Sequence, residues 1–404
     1  MSQRAEFFLG NALKILMAHN IHLIPGGEDE SFRQEKRLLE IRGNEVIPYI
    51  RNNQIITQSP LWQVGLRTLW SQEDYREVRR VIRKCRPDIL HVQNDFPLIS
   101  PAIFYAAHHE DVPTVLSLRQ YRLYCLNAYF FRDGKVCENC IGQLIPLSGI
   151  QHRCYRNSLL GSVVSAGRIT LHRLLRTYQR QVDMFIALTE FAYDKFVTHD
   201  IPAEKIRIKP NFVDPIPDLI TDRDNYVLYV GRLTSEKGVE VMLKAWKAVG
   251  VKLPLKIAGS GLLEPTVKAV ASSSQGIQYL GYQSREQITA LLSKAKALIF
   301  PSLWYEGLPR VIIEAFAVGT PVIASNLGAM ATLITPHRTG LHVPPGDAEA
   351  LAQAALDIIY NPDQWYAMQM AARSEFETFY TADANYQALL DIYQQASENH
   401  QRHF

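Results

Sequence analysis

The stretch of this sequence that decides the fold runs from Phe300 to Ala315 and reads FPSLWYEGLPRVIIEA. The apolar run 297–300 that leads into it predicts a buried strand. Pro309 lies where the first residue of a helix is favoured, because its missing N–H would have no partner there anyway. We expect that helix over 311–318, an end near Gly319, and a further strand over 321–324.

Two glutamates give this stretch its chemistry. Glu306 follows the predicted strand directly, and Glu314 lies about one and a half turns into the helix. Ligands of open α/β sheets bind at that edge, and a helix N-terminus favours anions there. Carboxylates accept hydrogen bonds from hydroxyls. The pattern therefore suits a ligand that is both hydroxylated and phosphorylated, such as a nucleotide sugar.

The sequence PSLWYEGLPRVIIEAFAVGTPVIAS resembles the E-x7-E signature of family-4 glycosyltransferases, with Glu306 and Glu314 as its two acids. Two glutamates at this spacing also occur by chance, but the surrounding residues are more specific. GRLTSEKG at 231–238 resembles the family's G-R-L-x-x-E-K-G, and PNFVDP at 210–215 resembles its link between two lobes. The resemblance covers nearly the whole chain from Lys14 onward.

This resemblance implies an α/β chain of the GT-B fold, with two doubly wound Rossmann-like domains facing a central cleft. The N-terminal, acceptor-side domain would span 14–213 and carry a cysteine-containing insertion at 120–157. The C-terminal, nucleotide-sugar-binding domain would span 214–380. Residues 381–404 would form a helix that crosses back to the N-terminal domain.

The implied activity is that of a retaining, hexosyltransferase-type glycosyltransferase of polysaccharide or glycolipid biosynthesis. It would move a sugar from a nucleotide-diphosphate donor, UDP or GDP, to a glycan or lipid-linked acceptor. Arg232, Lys237 and Glu306 would be catalytic: the two cations would neutralise the leaving diphosphate, and Glu306 would accept donor hydroxyls. The implied substrate-binding residues are Gly26, Gly27, Arg119, Gly231, Gly259, Tyr282, Gly307, Leu308 and Glu314.

Several features bear on other functions. No D-x-D motif stands at a strand end, so no metal cofactor is expected for catalysis, and G-x-G-x-x-G and Walker A motifs are absent. Relatives usually carry histidine at the position of Arg119, and often at that of Gln93. These departures leave two alternatives open: a catalytically weak or silent nucleotide-sugar-binding protein, or a sugar-nucleotide epimerase on the same fold. We name no nucleophile and no general base.

Four of the five cysteines lie in or next to the insertion, at Cys125, Cys137, Cys140 and Cys154. One C-x2-C pair with two further cysteines fits a structural zinc site with four thiolate ligands. Reduced free thiols and disulfides are the other interpretations.

Charge and hydropathy bear on location. The net charge is +3, but residues 1–210 are basic and residues 211–404 are acidic. A basic N-terminal half fits an anionic acceptor or membrane face, or simply a solvated surface. The basic, apolar segment 158–180 predicts a long helix that either lies on a membrane or covers the N-terminal domain. No apolar run is long enough to span a bilayer, and residues 1–13 lack a signal-peptide pattern. We expect a cytoplasmic protein, either free or peripheral on the inner face of the membrane, that binds no nucleic acid.

Overall fold

The computed structural model describes residues 12–23 and 26–402. The predicted absence of a signal peptide concerns residues 1–13, most of which lie outside the described residues.

The described strands follow the apolar runs of the sequence. In chain order they are β1 (Lys14–Ile21), β2 (Glu45–Asn52), β3 (Ile89–Val92), β4 (Thr114–Leu118), β5 (Phe131–Arg132), β6 (Lys135–Val136), β7 (Met184–Ala187), β8 (Ile206–Ile208), β9 (Val227–Val230), β10 (Leu255–Ala258), β11 (Ile277–Gly281), β12 (Ala297–Phe300), β13 (Val322–Ser325) and β14 (Gly340–Val343).

Helices connect most of these strands. In chain order they are α1 (Gly27–Ile41), α2 (Leu61–Leu69), α3 (Gln72–Cys85), α4 (Ala102–His109), α5 (Leu147–Gln151), α6 (Leu159–Leu174), α7 (Thr177–Gln181), α8 (Glu190–Thr198), α9 (Val239–Val249), α10 (Glu264–Ser273), α11 (Arg285–Lys294), α12 (Arg310–Ala317), α13 (Ala329–Leu333), α14 (Ala348–Tyr360), α15 (Pro362–Phe379) and α16 (Ala382–Arg402).

The strands form two six-stranded parallel sheets and one small antiparallel hairpin, β5–β6. The first sheet has the order β2-β1-β3-β4-β7-β8, and the second has the order β11-β10-β9-β12-β13-β14. Strands such as β3, β4, β12 and β13 are buried along their whole length. Parallel strands covered by helices on both faces have this continuous apolar character. The predicted pair of doubly wound, Rossmann-like sheets is confirmed.

The order of the strands reverses once in each sheet, between β1 and β3 in the first and between β9 and β12 in the second. At such a point the loops leave the two strands in opposite directions and open a crevice at their carboxyl ends, where ligands bind in folds of this class. The topology therefore marks one candidate ligand site in each sheet.

The chain divides into two compact units. The first contains the residues up to Phe130, Glu138–Pro210 and the chain from Asn385 onward, and the second contains Phe131–Cys137 and Asn211–Ala384. The predicted divisions lay a few residues away, at 213/214 and 380/381. They differ because Lys209 still donates its backbone N–H to Ala187 of β7, whereas Val213 donates to Tyr380 in the second unit.

The end of the chain from Asn385 belongs to the first unit because α16 carries an apolar stripe. Leu389, Ile392 and Tyr393 of this helix are buried in one cluster with Ile15 and Met17 of β1. Polar contacts lie beside this cluster, since the hydroxyl of Tyr393 is 2.8 Å from Nδ1 of His91. The C-terminal helix is therefore part of the core of the first unit.

Two local predictions are corrected. The helix expected over 158–180 is broken into α6 and α7, because Arg176 adopts a left-handed backbone with φ of 52°. The break lets Thr177 bury its hydroxyl 2.9 Å from Nδ1 of His172. Pro309 is the residue before the first helical turn of α12, and Arg310 is the first helical residue.

No helix in residues 12–23 or 26–402 combines the length and the apolar character needed to cross a bilayer.

Candidate active site

The loops that follow β9 and β12 meet where the second sheet reverses its strand order. The first loop, Gly231–Gly238, ends in a 3₁₀ turn over Ser235–Lys237 before α9. Its backbone contacts the second loop directly, since Leu303 donates its N–H to the carbonyl of Glu236 at 2.9 Å. The two motifs that the sequence singled out, at 231–238 and 301–309, therefore form one site.

A buried ion pair lies at the centre of this site. Nζ of Lys237 donates to Oε1 of Glu306 at 2.6 Å, and both side chains are largely buried. The same carboxylate oxygen accepts from Oγ of Ser302 at 2.8 Å and from Nε1 of Trp304 at 2.7 Å. Because its donors converge from two loops, Glu306 is held in one orientation.

The sequence motif did not identify Ser302 and Trp304 as site residues. They lie four and two residues before Glu306 in the same loop, and this proximity is the feature of the sequence that could have identified them. The ring of Trp304 also lies 5.2 Å from Nζ of Lys237, and that of Phe300 lies 5.6 Å from it. Aromatic faces attract a cation, so these rings help to fix the ammonium group beside the carboxylate.

Gly238 permits the close contact between the two loops. Its φ is +71°, and a Cβ at this position would lie 1.9 Å from the carbonyl oxygen of Pro301. A side chain would therefore separate the loop that carries Lys237 from the loop that carries Glu306.

Arg232 is the exposed member of the predicted catalytic set. Nη2 of Arg232 lies 3.5 Å from Oε1 of Glu236, and 57% of its side chain is accessible. Its carbonyl accepts from the hydroxyl of Tyr229 at 2.9 Å. Burial, followed by the charge of Glu306, raises the pKa of Tyr229, so this hydroxyl stays protonated as a donor. The backbone of Arg232 is thus anchored while its guanidinium faces solvent.

The remaining predicted residues of the second unit differ in burial. Glu314 lies on α12, where Oε1 is 3.6 Å from Nε of Arg310. Leu308 is buried, Gly307 is half-buried, and the side chain of Tyr282 is 81% exposed. The structure thus brings Lys237 and Glu306 into contact and leaves the side chain of Tyr282 in solvent.

Gly259, after β10, supports the loop from the other side. Its φ is +144°, and a Cβ there would lie 1.9 Å from the carbonyl oxygen of Gly231. The N–H of Gly231 donates to Ala258 at 3.1 Å. Gly259 therefore has a structural reason to be glycine, in addition to the substrate-binding role that the resemblance implies.

We expect Gly259→Ala to lower the free energy of unfolding by about 3 kcal/mol or more, because the methyl group would displace the backbone of the adjacent loop. Gly346→Ala is the control: its φ is also positive, at +83°, but a Cβ there meets nothing within 4 Å. The control should cost only about 1–2 kcal/mol of backbone strain. Urea unfolding of both variants measures the difference, and equal losses would contradict the packing argument.

In the first unit, the predicted residues Gly26, Gly27 and Arg119 lie near the sheet's own reversal point. Gly26 precedes α1, Gly27 is its first residue, and the N–H of Gly26 donates to Oδ2 of Asp29 at 3.1 Å. Arg119 lines a cavity of about 40 Å³ together with Glu28. Burial alone would raise the pKa of Glu28, but the hydrogen bond from His22 and the charge of Arg119 outweigh it and lower the pKa to about 2.

Arg119 and Gln93, the two departures from the usual pattern, contact one another. Nε of Arg119 donates to Oε1 of Gln93 at 2.9 Å, and Nε2 of Gln93 donates to Oε1 of Glu35 at 2.5 Å. Oε2 of Glu35 accepts from Nζ of Lys209 at 2.6 Å. Neither Glu35 nor Lys209 stands out in the sequence, since each is an ordinary charged residue in a polar segment.

The cysteines of the insertion do not form a ligand set in the described chain. Cys125 and Cys140 are buried, Cys137 and Cys154 are partly exposed, and no group of three or more His, Cys, Asp or Glu among the described residues could hold a metal. The thiol of Cys125 donates to Oδ1 of Asn127 at 2.9 Å. The four-cysteine zinc site stays a prediction, which elemental analysis of the purified protein would test.

Comparison with known families gives matches over both units. The sequence profile described as Glycosyltransferase Family 4 matches residues 12–216, and the one described as Glycosyl transferases group 1 matches residues 215–375. The first of these matches covers half of the chain.

Individual relatives are more distant. The amylovoran biosynthesis glycosyltransferase AmsK of Erwinia amylovora is 28% identical over 52% of this chain and 56% of its own. A GDP-mannose-dependent monoacylated alpha-(1-6)-phosphatidylinositol monomannoside mannosyltransferase of Corynebacterium glutamicum is 30% identical over 43% of this chain and 48% of its own. The chain thus spans about half the length of the curated relatives it matches.

Among solved structures, that of Anabaena HepE in complex with UDP-glucose superposes with a TM-score of 0.64 at 16% identity. The superposition covers 93% of this chain and 98% of the HepE chain. At this level of identity the likeness shows the fold, which is that of the GT-B glycosyltransferases.

Proposed function

The chain belongs to glycosyltransferase family 4, and on that premise we propose that it transfers a sugar from a nucleotide diphosphate sugar to a glycan or lipid-linked acceptor. The observation that carries the proposal is the Lys237–Glu306 pair, held at 2.6 Å where the second sheet reverses its strand order. Ligands of this fold class bind at that position.

The chemistry of the pair fits such a donor. Lys237 supplies a buried positive charge beside the diphosphate, and the exposed guanidinium of Arg232 supplies a second one. Two cations stabilise negative charge as it develops on the leaving group. The second oxygen of the Glu306 carboxylate would accept hydroxyls of the donor hexose, and Glu314 would accept those of the ribose.

We propose retention of configuration at the anomeric carbon, in line with the family resemblance. A retaining glycosidase uses a second carboxylate as nucleophile, and we assign no such residue here. Attack from the face of the departing diphosphate, assisted by that diphosphate, needs no enzyme nucleophile. The residues of this chain would then bind, orient and neutralise charge, and no metal cofactor would be required for catalysis.

A donor panel tests the proposal. We expect the melting temperature to rise in the presence of UDP-sugars or GDP-sugars, because a ligand that binds only the folded state stabilises it. HepE was solved with UDP-glucose, and the Corynebacterium relative is named for GDP-mannose, so both bases belong in the panel, with ADP-glucose as a third. The absence of any shift, together with no donor hydrolysis, would contradict the proposal.

We also propose that the protein acts in the cytoplasm, as a peripheral protein on the inner face of an anionic membrane. Exposed apolar side chains lie near both ends of α6, among them Leu160 and Val163 in its first turns and Leu174 at its last residue, which are 45–62% exposed. Arg176, just before α7, and Arg180, on α7, follow and are exposed. Apolar residues beside cations are typical of helices that lie in a membrane interface.

The first unit extends this apolar surface beyond α6. Gly65 of α2 packs against Val164, where a Cβ on the glycine would lie 3.2 Å from Cγ2. Trp62 and Leu66 of the same helix are 64% and 59% exposed. Large exposed apolar patches mark protein or membrane contacts, and the neighbouring cations favour the membrane.

We expect the double variant Leu160→Glu/Leu174→Glu to bind vesicles of anionic phospholipid at least tenfold more weakly than the wild type, because it removes apolar area and adds negative charge. Ile41→Glu is the control, since Ile41 is equally exposed, at 64%, on a different helix. Co-sedimentation at low and moderate salt measures both. A wild type that stays in solution, or equal losses for both variants, would exclude the membrane contact.

A further inference from the structure

The first unit contains a second and larger cavity, of about 430 Å³, beside the small one that Arg119 lines. Amide side chains line it, among them Asn53 and Gln120, together with the aromatic rings of Phe96, Tyr129 and Tyr155. Among the described residues that line it are Arg122 and Arg156, and none of those residues is Asp or Glu. The cavity is therefore positive, polar and aromatic.

Arg122 lines both this cavity and the small one beside it. Among the described residues its guanidinium forms no hydrogen bond and no ion pair, although it lies 4.4 Å from the centre of the Phe96 ring. The nearby carboxylate of Glu28 is already bound by His22 at 2.9 Å and by Gln120. A partly buried guanidinium with free donors is a site for an anion, which it can bind through two parallel hydrogen bonds.

Two residues that line the cavity also hold a buried side-chain oxygen without a partner in the described structure. These oxygens are Oδ1 of Asn53, whose residue is only 5% exposed, and Oε1 of Gln120. Buried polar atoms are almost always hydrogen-bonded, so each of these oxygens would gain from a donor that a ligand brings. Carbonyl oxygens accept hydrogen bonds, and the donors that suit them are hydroxyl groups.

The rim of the cavity is also strained. Arg156 and Asn157 adopt consecutive left-handed conformations, with φ of 53° and 54°. Left-handed conformations of residues other than glycine are unfavourable and cluster at functional sites. Phe96 and Tyr155 pack edge to face at 5.8 Å, and Arg122 lies over Phe96, so rings and cation form one continuous wall.

We propose that this cavity binds an acidic sugar, that is, a sugar that carries a carboxylate or a phosphate group. Arg122 binds the anionic group, Asn53 and Gln120 accept hydroxyls, and the tyrosine rings cover the apolar face of the sugar. The role we give this sugar, as part of the acceptor, rests on the proposed glycosyltransferase function. The binding itself does not depend on that function.

The test measures binding without any nucleotide present. Titration calorimetry of the full chain uses four probes: D-glucuronate, glucose 6-phosphate, glucose and inorganic phosphate. We expect at least one of the two acidic sugars to bind at least tenfold more tightly than both glucose and inorganic phosphate. The glucuronate and glucose 6-phosphate arms distinguish a uronate from a sugar phosphate as the natural source of the anion.

Two variants, each compared with further variants as controls, identify the residues that bind the acidic sugar. Arg122→Gln should remove the preference for the acidic sugar over glucose, whereas Arg80→Gln, which neutralises an exposed arginine on α3, should leave it unchanged. Asn53→Ala should weaken binding of the acidic sugar and leave that of inorganic phosphate unchanged. A circular-dichroism melt of each variant checks folding, and Arg122→Lys, which keeps the charge, should retain part of the preference.

The inference is overturned if both acidic sugars bind no better than glucose, or if Arg122→Gln keeps the full preference. Failure of the proposed function looks different. A protein that binds an acidic sugar but shows no melting shift with any nucleotide sugar would retain this site and lose its assignment as an acceptor site. A protein that binds a donor sugar but no acidic sugar would keep the proposed function alone.

Discussion

Replacing Lys237 by methionine is expected to lower the turnover number for sugar transfer about 10³-fold. Methionine keeps most of the length and apolar contact of the side chain but removes the charge that lies 2.6 Å from Glu306. Loss of a single preorganised group that stabilises developing negative charge costs about 10²–10³-fold in turnover. Initial rates of sugar transfer at saturating donor measure the effect.

Two further variants define what Lys237 contributes. Lys244→Met removes an exposed cation from α9, the helix that follows the same loop, and should leave the rate unchanged. Lys237→Arg keeps the charge but changes its shape, so partial activity is expected. If Lys237→Met were as active as the wild type, the leaving-group role would have to pass to Arg232, or the site would lie elsewhere.

Replacing Glu35 by glutamine is expected to lower the free energy of unfolding by about 3–5 kcal/mol at pH 7, because it leaves a buried cation uncompensated. Glu35 and Lys209 have side chains that are only 3% exposed and lie 2.6 Å apart. Glu45→Gln is the control, since its pair with Lys14 is about half exposed and such pairs contribute about 1 kcal/mol or less. Urea unfolding followed by circular dichroism measures both losses.

The difference between wild type and Glu35→Gln should depend on pH. Burial alone would raise the pKa of Glu35, but the charges of Lys209, His91 and Arg119 outweigh it and lower the value from 4.5 to about 2. A carboxyl group with a lowered pKa stabilises the folded state above its unfolded pKa, and that stability is lost as the pH falls. The two proteins should therefore converge as the pH falls from about 4.5 toward about 2.

His91 sets a second pH response in the same cluster. Burial, partly offset by the charge of Glu35, lowers its pKa from 6.5 to about 4. The unfolded chain then binds more protons than the folded one between these values, so stability falls as the pH drops from about 6.5 to about 4. Both proteins keep His91, so this loss is common to them to a first approximation. A constant difference between wild type and Glu35→Gln across pH 7 to 3 would contradict the assigned charge of Glu35.

The pairing of Gln93 with Arg119 changes how the two departures from the family pattern are understood. Each alone suggested a damaged site and hence a silent protein. In the structure, Gln93 joins the guanidinium of Arg119 to the carboxylate of Glu35. Because the two residues complement one another and the pair Lys237–Glu306 is in place, no described contact favours the silent alternative over the enzyme.

The architecture of both sheets followed from the sequence alone. Short apolar runs separated by helix-length segments leave few options for burial other than parallel strands covered by helices. The second-unit site was also predictable, because Lys237 and Glu306 lie within a few residues of the ends of β9 and β12, and adjacent parallel strands bring their carboxyl ends together. The spacing of these two residues from the strand ends was therefore enough to predict the site.

Only the tertiary structure decided which charges are buried and which polar groups around the cavity lack hydrogen-bond partners. Glu35 and Lys209 are 174 residues apart in sequence and come together because Lys209 follows β8, a strand of the sheet on which α1 packs. Arg122, Asn53 and Tyr155 likewise come from three separate segments around one cavity. The sequence shows each of these residues as an ordinary polar side chain, because burial and the absence of a partner depend on contacts that no local pattern contains.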